Sequence, residues 1–113
     1  MIIRRYPDIV IKAEFVDGKL RIFLVDGSFL DIWISRRIKE RYAIHWERRH
    51  VDGTIYRWDN TPHDVHKSIS TFPHHFHEFR DEDVKESEPP ASIEEIAIRA
   101  LEYAKKKLKE MTK

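Results

Sequence analysis

No cysteine occurs in the 113 residues, which removes disulfides, thiolate metal sites and cysteine nucleophiles together. Such a chain suits a reducing cytosol. No apolar run approaches the ~20 residues of a membrane span, and the opening MIIRRYPD lacks the layout of a secretion signal. Glycine is scarce: there are three, and none of them lies in a phosphate-binding loop pattern. Charge of one sign is not in excess either, since 21 Lys and Arg face 20 Asp and Glu for a net charge of +1. A chain of this length supports one core, so a single domain over 1–113 is expected.

What is present is unevenly placed. The interval 36–57 holds seven basic residues against three acidic ones, and 78–95 holds eight acidic against two basic. A basic middle suits a polyanion. The acidic stretch can repel such a ligand, cover the basic face or meet a basic partner. Histidine is more concentrated still. Five of the seven lie between Tyr56 and His77, and His45 and His50 stand just upstream.

All three glycines sit in the same tripeptide, at Val16-Asp17-Gly18, Val25-Asp26-Gly27 and Val51-Asp52-Gly53. Asp-Gly between apolar runs signals a hairpin, because glycine takes the positive φ that the turn needs. The runs DIVIKAEF, KLRIFL, SFLDIWIS, YAIHWERR and TIYRWDN read as strands, and STFPHHFHEF reads as extended. The expected fold is therefore α+β: an antiparallel meander of about five to six strands within about 7–80, a linker at 81–91, and a C-terminal helix at about 93–110 packed on one face. Ser92 with Glu95 forms a capping box. Ile93, Ile96, Ala97, Ala100, Leu101, Ala104, Leu108 and Met111 share one face at helical spacing.

The hairpin around Asp52-Gly53 decides which side chains meet. A three-residue loop pairs Trp46 with Trp58 and gathers Tyr42, Ile44, Trp46, Tyr56 and Trp58 on one face as core. The other face then sets His45 opposite Asp59 and Glu47 opposite Arg57, with Arg49 alongside. In that register Asp59 orients His45 and raises its pKa, and Arg57 clamps a phosphate with its planar fork. An ordinary solvated face with two cross-strand ion pairs remains the plain alternative. Beyond it, His75 and His77 share one strand face, while His66 and His74 read as exposed loop residues. His63, His75 and His77 make one metal trio, with Asp59 as a fourth ligand. Neighbours two apart on a strand project in parallel, however, so neither metal nor other cofactor is expected.

The segments DGSFLDI, YAIHWE, YRWDNTPH and FPHHFH closely resemble the TumE-type proteins, toxin components of type II toxin–antitoxin systems. The resemblance runs from about Val25 to Glu95, and its blocks keep the family's order and spacing. Glu47 stands where the family usually has Gln, and the loop Asp64 to Ser70 is particular to this chain. Carried onto this sequence, the motif positions are His45, Trp46, Arg57, Asp59, Asn60, Pro62, His63, Phe72, Pro73, His75 and His77. The resemblance implies a small cytoplasmic protein with a cognate antitoxin as partner and, for many toxins of this size, RNA as target.

Two functions are consistent with these residues. One is a metal-independent ribonuclease. Cleavage through the 2′-OH needs a base, an acid for the leaving 5′-oxygen and positive charge on the phosphate. His45 backed by Asp59 is the expected base, His75 or His77 the acid, Arg57 the clamp, with His63 in the catalytic group and Arg49 and Asn60 on the substrate. The other is a non-catalytic regulatory module that docks RNA, an antitoxin or a second copy through an edge strand.

Overall fold

The computed structural model describes residues 2–63 and 67–111. After a 3₁₀ turn at Ile2–Arg5 come β1 (Val10–Val16), β2 (Lys19–Leu24), β3 (Phe29–Ile34), β4 (Tyr42–Arg48), β5 (Thr54–Asp59), β6 (His75–Phe79), β7 (Val84–Glu86) and α1 (Ile93–Met111). The strands form one antiparallel sheet in sequence order, with β1 and β7 at its edges. The meander is thus seven strands rather than five to six. The additional edge strand, β7, lies inside the interval expected as linker. His66, expected in an exposed loop, lies outside the described residues.

The core follows from strand alternation. Ile22, Leu24, Leu30, Ile32, Tyr42, Ile44, Trp46, Tyr56 and Trp58 all point to one face and are buried. α1 closes that face with Ile96, Ala97, Ala100, Leu101, Ala104 and Leu108. Burying one such aliphatic side chain contributes roughly 1.5–3 kcal/mol, so the stripe holds the helix down. Tyr103 inserts among the rings of Trp46, Tyr56, Trp58 and Phe76, with centroids 5.2–6.4 Å away, and its hydroxyl donates to Glu78 Oε2 at 2.9 Å. At the helix start Ser92 Oγ accepts the Glu95 N–H at 3.1 Å. The reciprocal half of the capping box is absent, because the Glu95 carboxylate accepts from Arg99 instead. Met111, expected on the apolar stripe, is 45% exposed.

The β4–β5 hairpin departs from its expected register. Trp46 pairs with Tyr56, Ile44 with Trp58, His45 with Arg57 and Glu47 with Ile55. Ladder pairing ends at Arg48 and Thr54, so the loop spans five residues, 49–53, rather than three. Gly53 closes it at φ 82°, in the left-handed region that glycine enters without a Cβ clash. The shift is two residues, the period of a strand, so every side chain keeps its predicted face while its cross-strand partner changes.

The loop ends are tied together by a buried cation. Arg48, 2% exposed, donates Nε–H to Asp52 Oδ2 at 3.1 Å, pairs through its terminal nitrogen with Asp26 Oδ2, and lies over the Trp46 ring at 4.8 Å. The aspartates of two Val-Asp-Gly tripeptides therefore do more than turn the chain. Trp46 Nε1–H donates to buried Ser28 Oγ at 2.9 Å, which satisfies the indole within the core.

Candidate functional site

The face away from α1 carries the chemistry. In register across the whole sheet run Glu14, Arg21, Asp31, His45, Arg57, His77 and Val84, each the direct partner of the next. Two residues further along, on the same face, run Trp33, Ala43, Asp59, His75 and Glu86. Neighbouring strands lie about 4.8 Å apart, so Arg57 stands midway between His45 and His77.

Charges leaving water need partners, and each one here has them. Asp31 is clamped by Arg21 through Nε and a terminal nitrogen at 2.8 and 3.0 Å. Asp59, 3% exposed, accepts from Arg57 Nε at 2.8 Å and from the Thr61 backbone N–H at 3.1 Å. His75 Nε2 lies 2.9 Å from its Oδ1, and His77 Nε2 lies 3.8 Å from its Oδ2. The two imidazoles meet edge to face, centroids 4.9 Å apart. Each ring fixes its other nitrogen on a backbone carbonyl at 2.8 Å, His75 Nδ1 on Pro73 and His77 Nδ1 on Asp81. The rings therefore converge on one carboxylate instead of projecting in parallel.

The protonation pattern follows. Burial opposes charge on Asp59, but hydrogen bonds from His75 and Arg57 outweigh it and hold the carboxyl below its usual range. Burial also opposes charge on His75, and the Asp59 hydrogen bond reverses it, so its pKa is raised. His77 is dominated by burial and its pKa is lowered. The two imidazoles are thus pushed in opposite directions, His75 toward the charged form by Asp59 and His77 toward the neutral form by burial.

His45 is arranged differently from the expectation. Asp59 does not orient it, since the register places Asp59 opposite Ala43 and engages it with Arg57 and His75. The carboxylate beside His45 is Glu47, whose Oε1 is 3.2 Å from His45 Nε2. Nδ1 of His45 is buried with no hydrogen-bond partner among the described residues. Burial lowers the His45 pKa despite Glu47, so the ring is neutral at neutral pH and Nδ1 is its basic atom. Arg49 is exposed and chelates Glu47 at 2.6–3.1 Å, which takes Glu47 down to about 2.

His45 and Arg57 open into a depression of about 290 Å³, with Lys19, Asp31, Trp33 and Ala43 as its other walls. Arg57 joins this depression to the buried cluster, because its Nε–H is held by Asp59 while its terminal nitrogens take no partner among the described residues. The remaining expected site residues sit elsewhere. Asn60 is buried, and its amide is committed to the backbone: Oδ1 accepts from the Tyr42 N–H at 3.0 Å and Nδ2 donates to the Glu40 carbonyl at 2.8 Å. His63 is exposed in the loop after β5. His74, expected to be inconsequential, meets the Tyr42 hydroxyl at 2.9 Å. Lys19, Asp31 and Trp33 escaped sequence reasoning because only strand pairing brings them beside His45. The carboxylate of Asp31, alternating with the apolar Leu30 and Ile32, was their one available signal.

Asp59, His75 and His77 offer three ligand atoms within 4.8 Å of one another, a group that fits a metal ion. His63 is not a member, which corrects the trio read from the sequence.

No curated protein and no solved structure matched the chain. The Toxin TumE family matches residues 2–108, nearly the whole length. Such membership makes the protein a toxin component and implies an antitoxin as its partner. With the histidine, arginine and aspartate motifs assembled on one face of the sheet, the chain belongs to the Toxin TumE family.

Proposed function

We propose that the protein is a cytoplasmic ribonuclease toxin that cleaves RNA by acid–base chemistry on the open half of this face. The observation that carries the reading is the row His45–Arg57–His77, a histidine on each side of an arginine in direct register. His45 takes the proton of the ribose 2′-OH at Nδ1, once a rotation of the ring brings that buried atom to the depression. The 2′-oxygen forms a bond to phosphorus, and the bond from phosphorus to the 5′-oxygen breaks. Arg57, with Lys19 across the depression, holds the charge that builds on the phosphate. The departing 5′-oxygen receives its proton from His77, the more open member of the Asp59–His75–His77 cluster at 8% exposure against 1% for His75, acting in the protonated form that burial keeps in the minority at neutral pH. The product is a 2′,3′-cyclic phosphate and a free 5′-hydroxyl.

Purified protein incubated with RNA and chelator tests this. Cleavage leaving cyclic phosphate ends, lost in His45→Gln and Arg57→Gln, is the expected result. Absence of cleavage on every RNA tried, at stoichiometric protein, would leave the face as a docking surface for RNA or antitoxin.

A further inference from the structure

We propose that Asp59, His75 and His77 bind one divalent first-row transition-metal ion of the zinc class, through one carboxylate oxygen and the two Nε2 atoms. The sequence expectation was no metal, on the ground that strand neighbours project in parallel. The structure removes that ground by turning both rings onto one carboxylate.

Three features carry the inference. First, the spacing is right. Ligand atoms on a tetrahedral zinc with bonds of 2.0–2.1 Å lie about 3.3 Å apart. His75 Nε2 is 2.9 Å from Oδ1 and His77 Nε2 is 3.8 Å from Oδ2 of the same carboxylate, and one ligand atom from each of the three residues falls within 4.8 Å of the others. Closing the widest pair from as much as 4.8 Å to that spacing takes about 1.5 Å of relative movement, shared between two side chains. Second, the supporting contacts are already made. Each Nδ1–H is engaged by a backbone carbonyl at 2.8 Å, the outer contact that fixes a ligating histidine's tautomer and aims its Nε2. The carboxylate is likewise steadied by Arg57 and the Thr61 N–H. Third, the donors select the metal. Two imidazoles and one carboxylate suit Zn²⁺, Co²⁺ or Ni²⁺, and not Mg²⁺ or Ca²⁺, which take oxygen ligands. Three protein ligands leave a fourth coordination position that none of these three side chains fills. The competing arrangement is the one described above, in which a proton on His75 bridges to Asp59. Metal and proton contend for the same atoms.

The site is tested without RNA, so its failure is separate from failure of the ribonuclease reading. Untagged protein freed of metal by chelator is titrated with Co²⁺, followed by the visible spectrum, and with Zn²⁺, followed by calorimetry. One equivalent of each should bind, Mg²⁺ should not compete, and His77→Gln should weaken binding at least 100-fold while His50→Gln changes nothing. Should His77→Gln fail to fold, histidine nitrogen NMR on the native protein decides: Zn²⁺ should move the Nε2 signals of His75 and His77 and leave His50 in place. No stoichiometric binding, or signals that move at His50 instead, would overturn the site. If the ribonuclease reading also stands, Zn²⁺ should inhibit cleavage, because it occupies the cluster that supplies the acid.

Discussion

The two faces of the sheet are built from the same strands and obey different rules. On the α1 side, Ile44, Trp46 and Trp58 exclude water against the helix, and contact area decides their worth. On the opposite side, Asp31, Asp59, His75 and His77 are also buried, but they are charged or titratable and held by directional bonds. Replacing such a set with apolar residues is often neutral or stabilising, so stability does not account for its presence. Adjacent positions, His45 and Trp46, belong to the two regimes, and that contrast can be broken experimentally.

The largest effects should divide cleanly between those neighbours. Trp46→Ala is expected to remove about 3–5 kcal/mol of stability, read by urea unfolding. His45→Gln should leave the unfolding midpoint nearly unchanged and lower RNA cleavage by ~10²–10⁴-fold. If the two substitutions hurt stability alike, the faces are not separate in the way described.

Arg57→Gln comes next, with a loss of ~10²–10³-fold in cleavage. Arg57→Lys keeps the charge and loses the fork that lets one guanidinium hold Asp59 and phosphate together, so its rate should fall between the two. A lysine variant at full activity would mean that Arg57 contributes charge alone.

The pH dependence is subtler. Burial depresses the His45 pKa, so the basic form persists below the usual imidazole value of about 6.5. The rate should therefore rise with pH through an inflection below 6.5, and His45→Gln should abolish that limb. A limb centred above 6.5 would refute the base assignment.

The smallest effect concerns Glu47. Its pKa falls from 4.5 to about 2, first through the Arg49 hydrogen bond. A depressed carboxyl stabilises the fold above its unfolded pKa and loses that contribution as pH falls through the folded one. Between pH 4.5 and 2 the native protein should thus lose about 1 kcal/mol that Glu47→Gln does not. Parallel acid titrations of the two proteins would show whether the difference exists.

Much of this was legible in the residues, for identifiable reasons. Faces were readable because alternation has a period of two and survives a two-residue register error. α1 was readable because eighteen or so residues repeat one apolar stripe. The partner of Asp59 was not readable. It depended on whether the loop was 51–53 or 49–53, and Asp52-Gly53 fits both. β7 was missed because Val84-Lys85-Glu86 is too short to show a period. The convergence of His75 and His77 depended on the Pro73 and Asp81 carbonyls, which no pattern of side chains announces.

Arg48 has a dynamic consequence. It grips Asp26 from the β2–β3 turn and Asp52 from its own loop while lying on Trp46. Opening either turn takes one of the two carboxylates away from the buried guanidinium. Hairpin ends ordinarily fray one at a time, and their amides exchange with solvent independently. Here the amides of Gly27 and Gly53, in turns tied by Arg48 and by His50 Nε2 2.6 Å from the Gly27 carbonyl, should exchange at a common rate. The rim of the sheet then behaves as one cooperative unit, and its breathing is governed by residues that do not line the depression.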